Sequence, residues 1–270
     1  MKSGLIIFVV FIGLLLFSGC KDAKTGIVIP ESVEKYPTAL NTEWEYETIN
    51  CVAKYDEKGN LGVDSILQPI SYSTVKITSV SDSINEEKSL IRFDFFSALD
   101  NSISTSWYSN SDTAFQRIWA TGYERDWVTP KMRNSNGLTF INYLSKNLFP
   151  EGLSLSAQDA SFTNNLVVYK YPFAVGNSWE TYPGAEGTSK RIIIEKKQLS
   201  FKENYFECFD IKLVNEPLHG IDYHDYISLE LGLVKREIII DSVAFTGPDS
   251  PDILFFGKVR TTSNLIRKSN

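Results

Sequence analysis

The sequence predicts an all-β fold, a large antiparallel meander or curved half-barrel built from two similar halves. Three observations predict it. Short runs rich in Val, Ile, Thr, Tyr, Phe and Trp alternate with period two through most of the chain, the mark of half-buried strands. Clusters of turn formers separate these runs, as in Asp56-Glu57-Lys58-Gly59-Asn60, Asp82-Ser83-Ile84-Asn85, Lys202-Glu203-Asn204 and Thr246-Gly247-Pro248-Asp249. A ten-residue segment of the first half also recurs in the second, and no stretch carries the period of a long amphipathic helix.

Residues 1–19 read as a secretory signal. Lys2 supplies the charge, Leu5 to Phe17 the apolar core, and Ser18-Gly19 the small residues before a cut at Cys20. The core is shorter than the about 20 residues that a spanning helix needs. Leu16-Phe17-Ser18-Gly19-Cys20 resembles the lipobox of bacterial lipoproteins, with Phe17 where that family prefers Leu, Val or Ile. The resemblance implies cleavage before Cys20, lipidation of its thiol with palmitate-like chains, and a membrane partner. Each buried CH₂ of such chains contributes about 0.8 kcal/mol, so several make a stable anchor. With Lys21 and Asp22 next, similarity to lipoprotein sorting implies the outer membrane of the cell envelope.

Residues 20–34 form a short charged tether, 35–165 the first β half and 166–270 the second. In the first half, strands are expected over Thr42 to Tyr55, Tyr72 to Val80 and Ser89 to Ser97. Segment 131–165 is the least regular, with a short helix placed at Asn142 to Asn147. In the second half, strands are expected over Arg191 to Leu199, Tyr205 to Val214, Ile221 to Glu230 and Leu233 to Val243. From Ile221, the residues Ile221, Tyr223, Asp225, Ile227 and Leu229 share one face. Asp222, His224, Tyr226, Ser228 and Glu230 share the other, giving one buried and one wet side.

The repeat sets Tyr36-Pro37-Thr38-Ala39-Leu40-Asn41-Thr42-Glu43-Trp44-Glu45 against Tyr171-Pro172-Phe173-Ala174-Val175-Gly176-Asn177-Ser178-Trp179-Glu180. Phe93-Asp94-Phe95 answers Phe209-Asp210-Ile211. Tyr-Pro opens an extended segment, so Trp44 and Trp179 are expected at equivalent places, each buried near the start of a strand. The stretch from Pro172 to Trp179, then Phe206 to Ile211, then Leu231-Gly232-Leu233-Val234-Lys235 resembles a pattern in uncharacterised exported bacterial β proteins. These are similar in kind to LolA-like carriers, whose curved sheet holds acyl chains. That resemblance, over about residues 170–240, implies a fold and an apolar ligand; it carries no catalytic residue.

With 27 Lys plus Arg against 33 Asp plus Glu, the net charge of −6 gives no electrostatic reason to hold nucleic acid. Cys51 and Cys208 could pair in an oxidising compartment or stay free, since sequence separation fixes no distance. The chain has two histidines and no Gly-x-Ser-x-Gly, His-Glu-x-x-His or phosphate-binding loop, so no catalytic residue, cofactor or metal site is assigned. The best polar cluster is His219, Asp222, His224 and Asp225; a metal site there competes with a solvated strand face, and the solvated face is preferred. Trp107, Tyr108, Phe115, Trp119, Tyr123 and Trp127 could stack on sugars, but β interiors routinely take such rings, so core burial is preferred. The expectation is a non-enzymatic, membrane-anchored envelope lipoprotein that binds an apolar ligand, a lipidated partner or another envelope protein. The alternatives are a carbohydrate-binding surface lipoprotein and a hydrolase with a carboxylate pair.

Overall fold

The computed structural model describes residues 33–84, 86–98, 101–121, 166–184, 187–214, 221–246 and 252–270. Cys20, the segment 131–165, Tyr123, Trp127 and His219 lie outside them. The described chain is all-β. Its strands are β1 (Glu43–Lys54), β2 (Ser65–Ile84), β3 (Glu87–Ser97), β4 (Ser102–Asn110), β5 (Ala114–Thr121) and β6 (Leu166–Lys170). Then follow β7 (Ser178–Gly184), β8 (Gly187–Phe201), β9 (Asn204–Val214), β10 (Ile221–Ser228), β11 (Gly232–Thr246) and β12 (Ile253–Ser269). They form one antiparallel sheet in the order β6-β5-β4-β3-β2-β1-β12-β11-β10-β9-β8-β7, nearly closed into a barrel with a single seam.

That order is two six-stranded meanders joined by the β1–β12 ladder. β6 pairs with β5, so the sheet counts Leu166–Lys170 with the first half. The repeat is visible bond by bond. Asn41 (φ 66°) and Gly176 (φ 88°) take the left-handed conformation that Asn and Gly tolerate best. Thr42 N–H donates to Ala39 C=O as Asn177 N–H does to Ala174 C=O, and Ile77 exchanges bonds with this turn as Ile193 does with its copy. Leu40 and Val175 are exposed at 48% and 54%, whereas Trp44 and Trp179, each the second residue of its strand, are exposed at only 1% and 6%. The correspondence slips further on. Ile77 faces Phe93, but Ile193 faces Ile211, so by register Phe93 answers Ile211 and not Phe209. The bulged ladders, not the Phe-Asp motif, set the pairing.

Alternation builds the wall. On β1, Trp44, Tyr46, Thr48, Asn50 and Val52 point inward and are buried, while Glu43, Glu45 and Glu47 point outward. On β12, Val259, Thr261, Ser263 and Leu265 point inward, between outward Lys258 and Arg260. Charges thus repeat along the outer faces of β1 and β12. Inside, aromatic rings fill one end: Tyr36 stacks on Phe115 and Tyr169 at 5.2 and 5.3 Å between centroids, and Phe115 on Tyr108 at 4.7 Å. Val52, Leu213, Ile238, Ile240, Phe245 and Val259 fill the other. A belt of small polar groups lies between, with Thr48 bonded to Ser263 and Thr261 to Asn50, each at 2.8 Å.

Trp44 fixes the join between halves. Its indole N–H reaches past β12 to donate to Leu231 C=O at 2.5 Å. Gly232 (φ 88°) makes the approach possible, since a Cβ there would lie 3.0 Å from the Tyr36 hydroxyl and 3.2 Å from the Trp44 indole nitrogen.

Candidate functional site

The least apolar feature of the interior is a charge cluster spanning β8, β10 and β11. Asp225 belongs to the inward face of β10, between Tyr223 and Ile227, and is fully buried. Its register partner on β11, Arg236, forks onto it with Nε–Oδ1 at 2.6 Å and Nη2–Oδ2 at 3.0 Å. Tyr223 O–H donates to Oδ2 at 3.0 Å, and Arg191 of β8 lies 3.5 Å from the same oxygen. Both arginines are buried and lie over aromatic faces, Arg236 over Tyr223 and Arg191 over Tyr169. Burial works against the Arg236 charge, but the charge and hydrogen bonds of Asp225 outweigh it and hold the guanidinium well above its usual proton affinity. Burial likewise keeps Tyr46 and Tyr169 neutral, far above the ordinary phenol range.

Arg191 also reaches the seam. Among the described residues, β6 and β7 have no backbone ladder between them. Side chains close the gap instead: Trp179 N–H donates to Val168 C=O at 3.1 Å, Thr181 O–H to Val167 C=O at 3.1 Å, and Arg191 Nη1 to Val168 C=O at 3.2 Å. A bulge makes this possible. Phe115 pairs with Tyr169 and Gln116 with Val167, leaving Val168 as the extra residue, and the carbonyls of Val167 and Val168 both accept from the β7–β8 side. Arg191 therefore touches the seam with one nitrogen and the interior carboxylate with another.

His224, on the outer face of β10, sits between two carboxylates. Its Nδ1 is 2.6 Å from Asp210 of β9 and its Nε2 is 3.2 Å from Asp222. Lys212, its register partner on β9, binds Asp222 at 2.6 Å; Lys197 of β8 binds Asp210 at 2.8 Å; Glu237 of β11 is its other register partner. The bond to Asp210 raises the His224 pKa above 6.5 against the opposing effect of burial. Burial pushes Asp210 and Asp222 up, but their bonds to His224 and lysine prevail and hold both below the usual carboxylate range. A raised folded pKa means that the histidine's contribution is complete below the unfolded pKa of about 6.5. It is lost as pH rises through the folded value. We expect the stability gap between wild type and His224→Gln, measured by urea denaturation, to be widest near pH 5.5 and to shrink at alkaline pH. A gap that does not vary with pH would contradict this.

Asp222 and His224 share the outer face and Asp225 points inward to Arg236, as the alternation implies, while His219, which would complete a metal site with Asp222 and His224, lies outside the described residues. Among the described residues no group of three potential ligands is close enough to hold a metal. Tyr226 and Ser228, expected on the wet face, are buried: Lys197 and Lys235 lie over the Tyr226 ring, each at 5.3 Å, and Ser228 Oγ accepts from the turn amides of Glu230 and Leu231. The aromatic cluster divides too. Tyr108 and Phe115 are core; Trp107 points outward but is covered by Arg92 at 5.7 Å and donates to Asp82 at 2.8 Å. Cys51 and Cys208 are both free, and burial pushes the Cys208 thiol up to about 12, outside the range of reactive cysteines.

Arg191, Arg236 and Asp210 are not singled out by sequence reasoning. A signal exists for the arginines: Arg236 has the parity of Val234, Ile238 and Ile240, and Arg191 that of Ile193, so both charges fall on apolar faces. The seam has no sequence signal, since it arises from the missing ladder between two short strands.

No family model matches the sequence, and no curated protein or solved structure matches it.

Proposed function

We propose that this chain is a lipid-anchored envelope protein whose barrel binds an apolar ligand without catalysing a reaction on it. The seam is the observation that carries the reading. In a wall otherwise joined by backbone ladders, β6 is held among the described residues by side-chain bonds from Trp179 and Thr181 of β7 and Arg191 of β8, so among the described strands the β6–β7 pair can part without breaking a ladder. A strand pair held this way opens at lower cost than one sharing a backbone ladder. Entry of an apolar tail would meet Tyr169, Trp179 and Leu166, apolar residues on the strands flanking the gap.

The anchor in this reading is acyl chains on Cys20, and the placement is the outer membrane; the lipobox and the short charged tether support it. Capture of a lipidated partner would use the same opening, because the entering group is again an acyl chain. Two arms test the proposal in cells fed a photoreactive fatty acid. Without irradiation, the wild-type chain should carry label on Cys20 and fractionate with membranes, while Cys20→Ala should be unlabelled and soluble or uncut. With irradiation, Cys20→Ala should gain label within residues 166–184. Identical fractionation with no label on wild type would remove the anchor, and photolabel confined to the outer wall or absent would remove the ligand reading.

A further inference from the structure

The internal repeat supplies a comparison for the buried charges. Trp44 faces Val75 across the β1–β2 ladder as Trp179 faces Arg191 across β7–β8. Phe93 faces Ser106, and the corresponding Ile211 faces Asp225. Ser106 then faces Ala120 as Asp225 faces Arg236. Register therefore makes Val75, Ser106 and Ala120 the counterparts of Arg191, Asp225 and Arg236. All six are buried. The first half builds the same ladders, with the same bulge after Trp107 that the second has after Tyr226, from three small neutral residues.

The fold thus does not demand charge at these positions. Buried ion clusters seldom exceed well-packed apolar residues in stability, because desolvation offsets their attraction. A cluster present in one half and absent from its copy is better explained by recognition. Its chemistry is that of an acid receptor: two guanidinium groups, a type suited to bidentate oxygens, and a phenol O–H, all gathered on the one carboxylate of Asp225. Its position agrees, because Arg191 holds Val168 C=O across the seam while lying 3.5 Å from Asp225.

We propose that Arg191, Arg236 and Tyr223 bind the acidic head group of an amphiphile that enters through the β6–β7 seam. The ligand's oxygens take Arg191 Nη1 from Val168 C=O, so binding the head group and unlatching the seam are one event. The tail then lies against the apolar cluster of Val52, Leu213, Ile238 and Val259. This rests on the ligand-binding reading above and adds the head-group class and the residues that choose it.

Residues 33–270 form one compact unit with its own core and suit the test. Oleate and methyl oleate, identical in tail, are titrated against displacement of a fluorescent fatty-acid probe. Wild type should bind oleate at least tenfold more tightly than its ester. In Arg191→Met/Asp225→Leu/Arg236→Met, which conserves volume without charge, the barrel should stay folded by circular dichroism and the preference should vanish. Arg191→Gln, which keeps the Asp225–Arg236 pair, should lose about tenfold in oleate affinity relative to the ester. Equal binding of acid and ester by wild type, or an undiminished preference in either variant, overturns the head-group site and leaves the apolar-ligand reading standing. Loss of the fold in the triple variant overturns the argument from the repeat, and binding of neither probe overturns both proposals.

Discussion

Replacing Asp225 alone by Leu is expected to cost about 3–5 kcal/mol, the range for removing one partner of a buried ion pair. Arg236 is fully buried and donates two hydrogen bonds to this carboxylate, and Arg191 lies beside it. The substitution leaves two guanidinium groups in the interior with their central anion gone, and neither can shed its charge, since arginine stays protonated. Tyr223 loses its acceptor as well. The loss should appear as a lower urea midpoint with an unchanged slope. The contrast with the neutral triple variant separates two quantities that single substitutions confuse: the penalty of a broken cluster, which is large, and the net worth of an intact one, which is near zero. An Asp225→Leu variant as stable as wild type would mean that the arginines are anchored independently of the carboxylate.

Trp44→Ala should cost about 3–5 kcal/mol, the range for truncating a large buried aromatic. Trp44 is buried to 1% exposure, stacks on Phe93 at 5.9 Å, and donates to Leu231 C=O. It reaches past β12 to the turn before β11, as Tyr46 O–H reaches Leu233 C=O at 3.0 Å, so its removal opens a cavity where the two meanders join. Trp179→Ala should also be destabilising but by less. Its equivalent place lies at the seam, where its indole holds a gap and does not brace a continuous ladder. The inequality is the informative part: equal losses would argue that the seam packs as firmly as the β1–β12 join.

The fold is legible in the sequence because its signals are local. Period-two alternation places Ile221, Tyr223, Asp225 and Ile227 on one buried face, and the Tyr-Pro-to-Trp repeat places both indoles. β12 escapes the pattern because its inward face carries Thr261 and Ser263 between Val259 and Leu265. Small hydroxyl residues are acceptable in the interior when they bond across, as Thr48 and Ser263 do, but they blur the apolar alternation. The site is harder to read for a related reason. His224 stands out with its sequence neighbours Asp222 and Asp225, yet its shortest bond is to Asp210 on the adjacent strand, and Asp225 faces the other way. In a sheet, chemistry is assembled across ladders, and register depends on bulges such as those at Val168 and Tyr226 that composition does not announce.

The central claim is a two-half barrel joined by a backbone ladder at β1–β12 and, among the described residues, by side chains without a ladder at β6–β7. Amide hydrogen exchange on residues 33–270 tests it most directly, because ladder amides exchange through opening of the strands that share them. The account predicts that the N–H groups shared by β1 and β12 are among the slowest in the chain, and that the seam-side amides of β6 and β7 exchange about 100-fold faster or more. Seam-side amides as slow as those of the β1–β12 ladder would mean that the barrel is closed all round, and the proposed entrance would not exist.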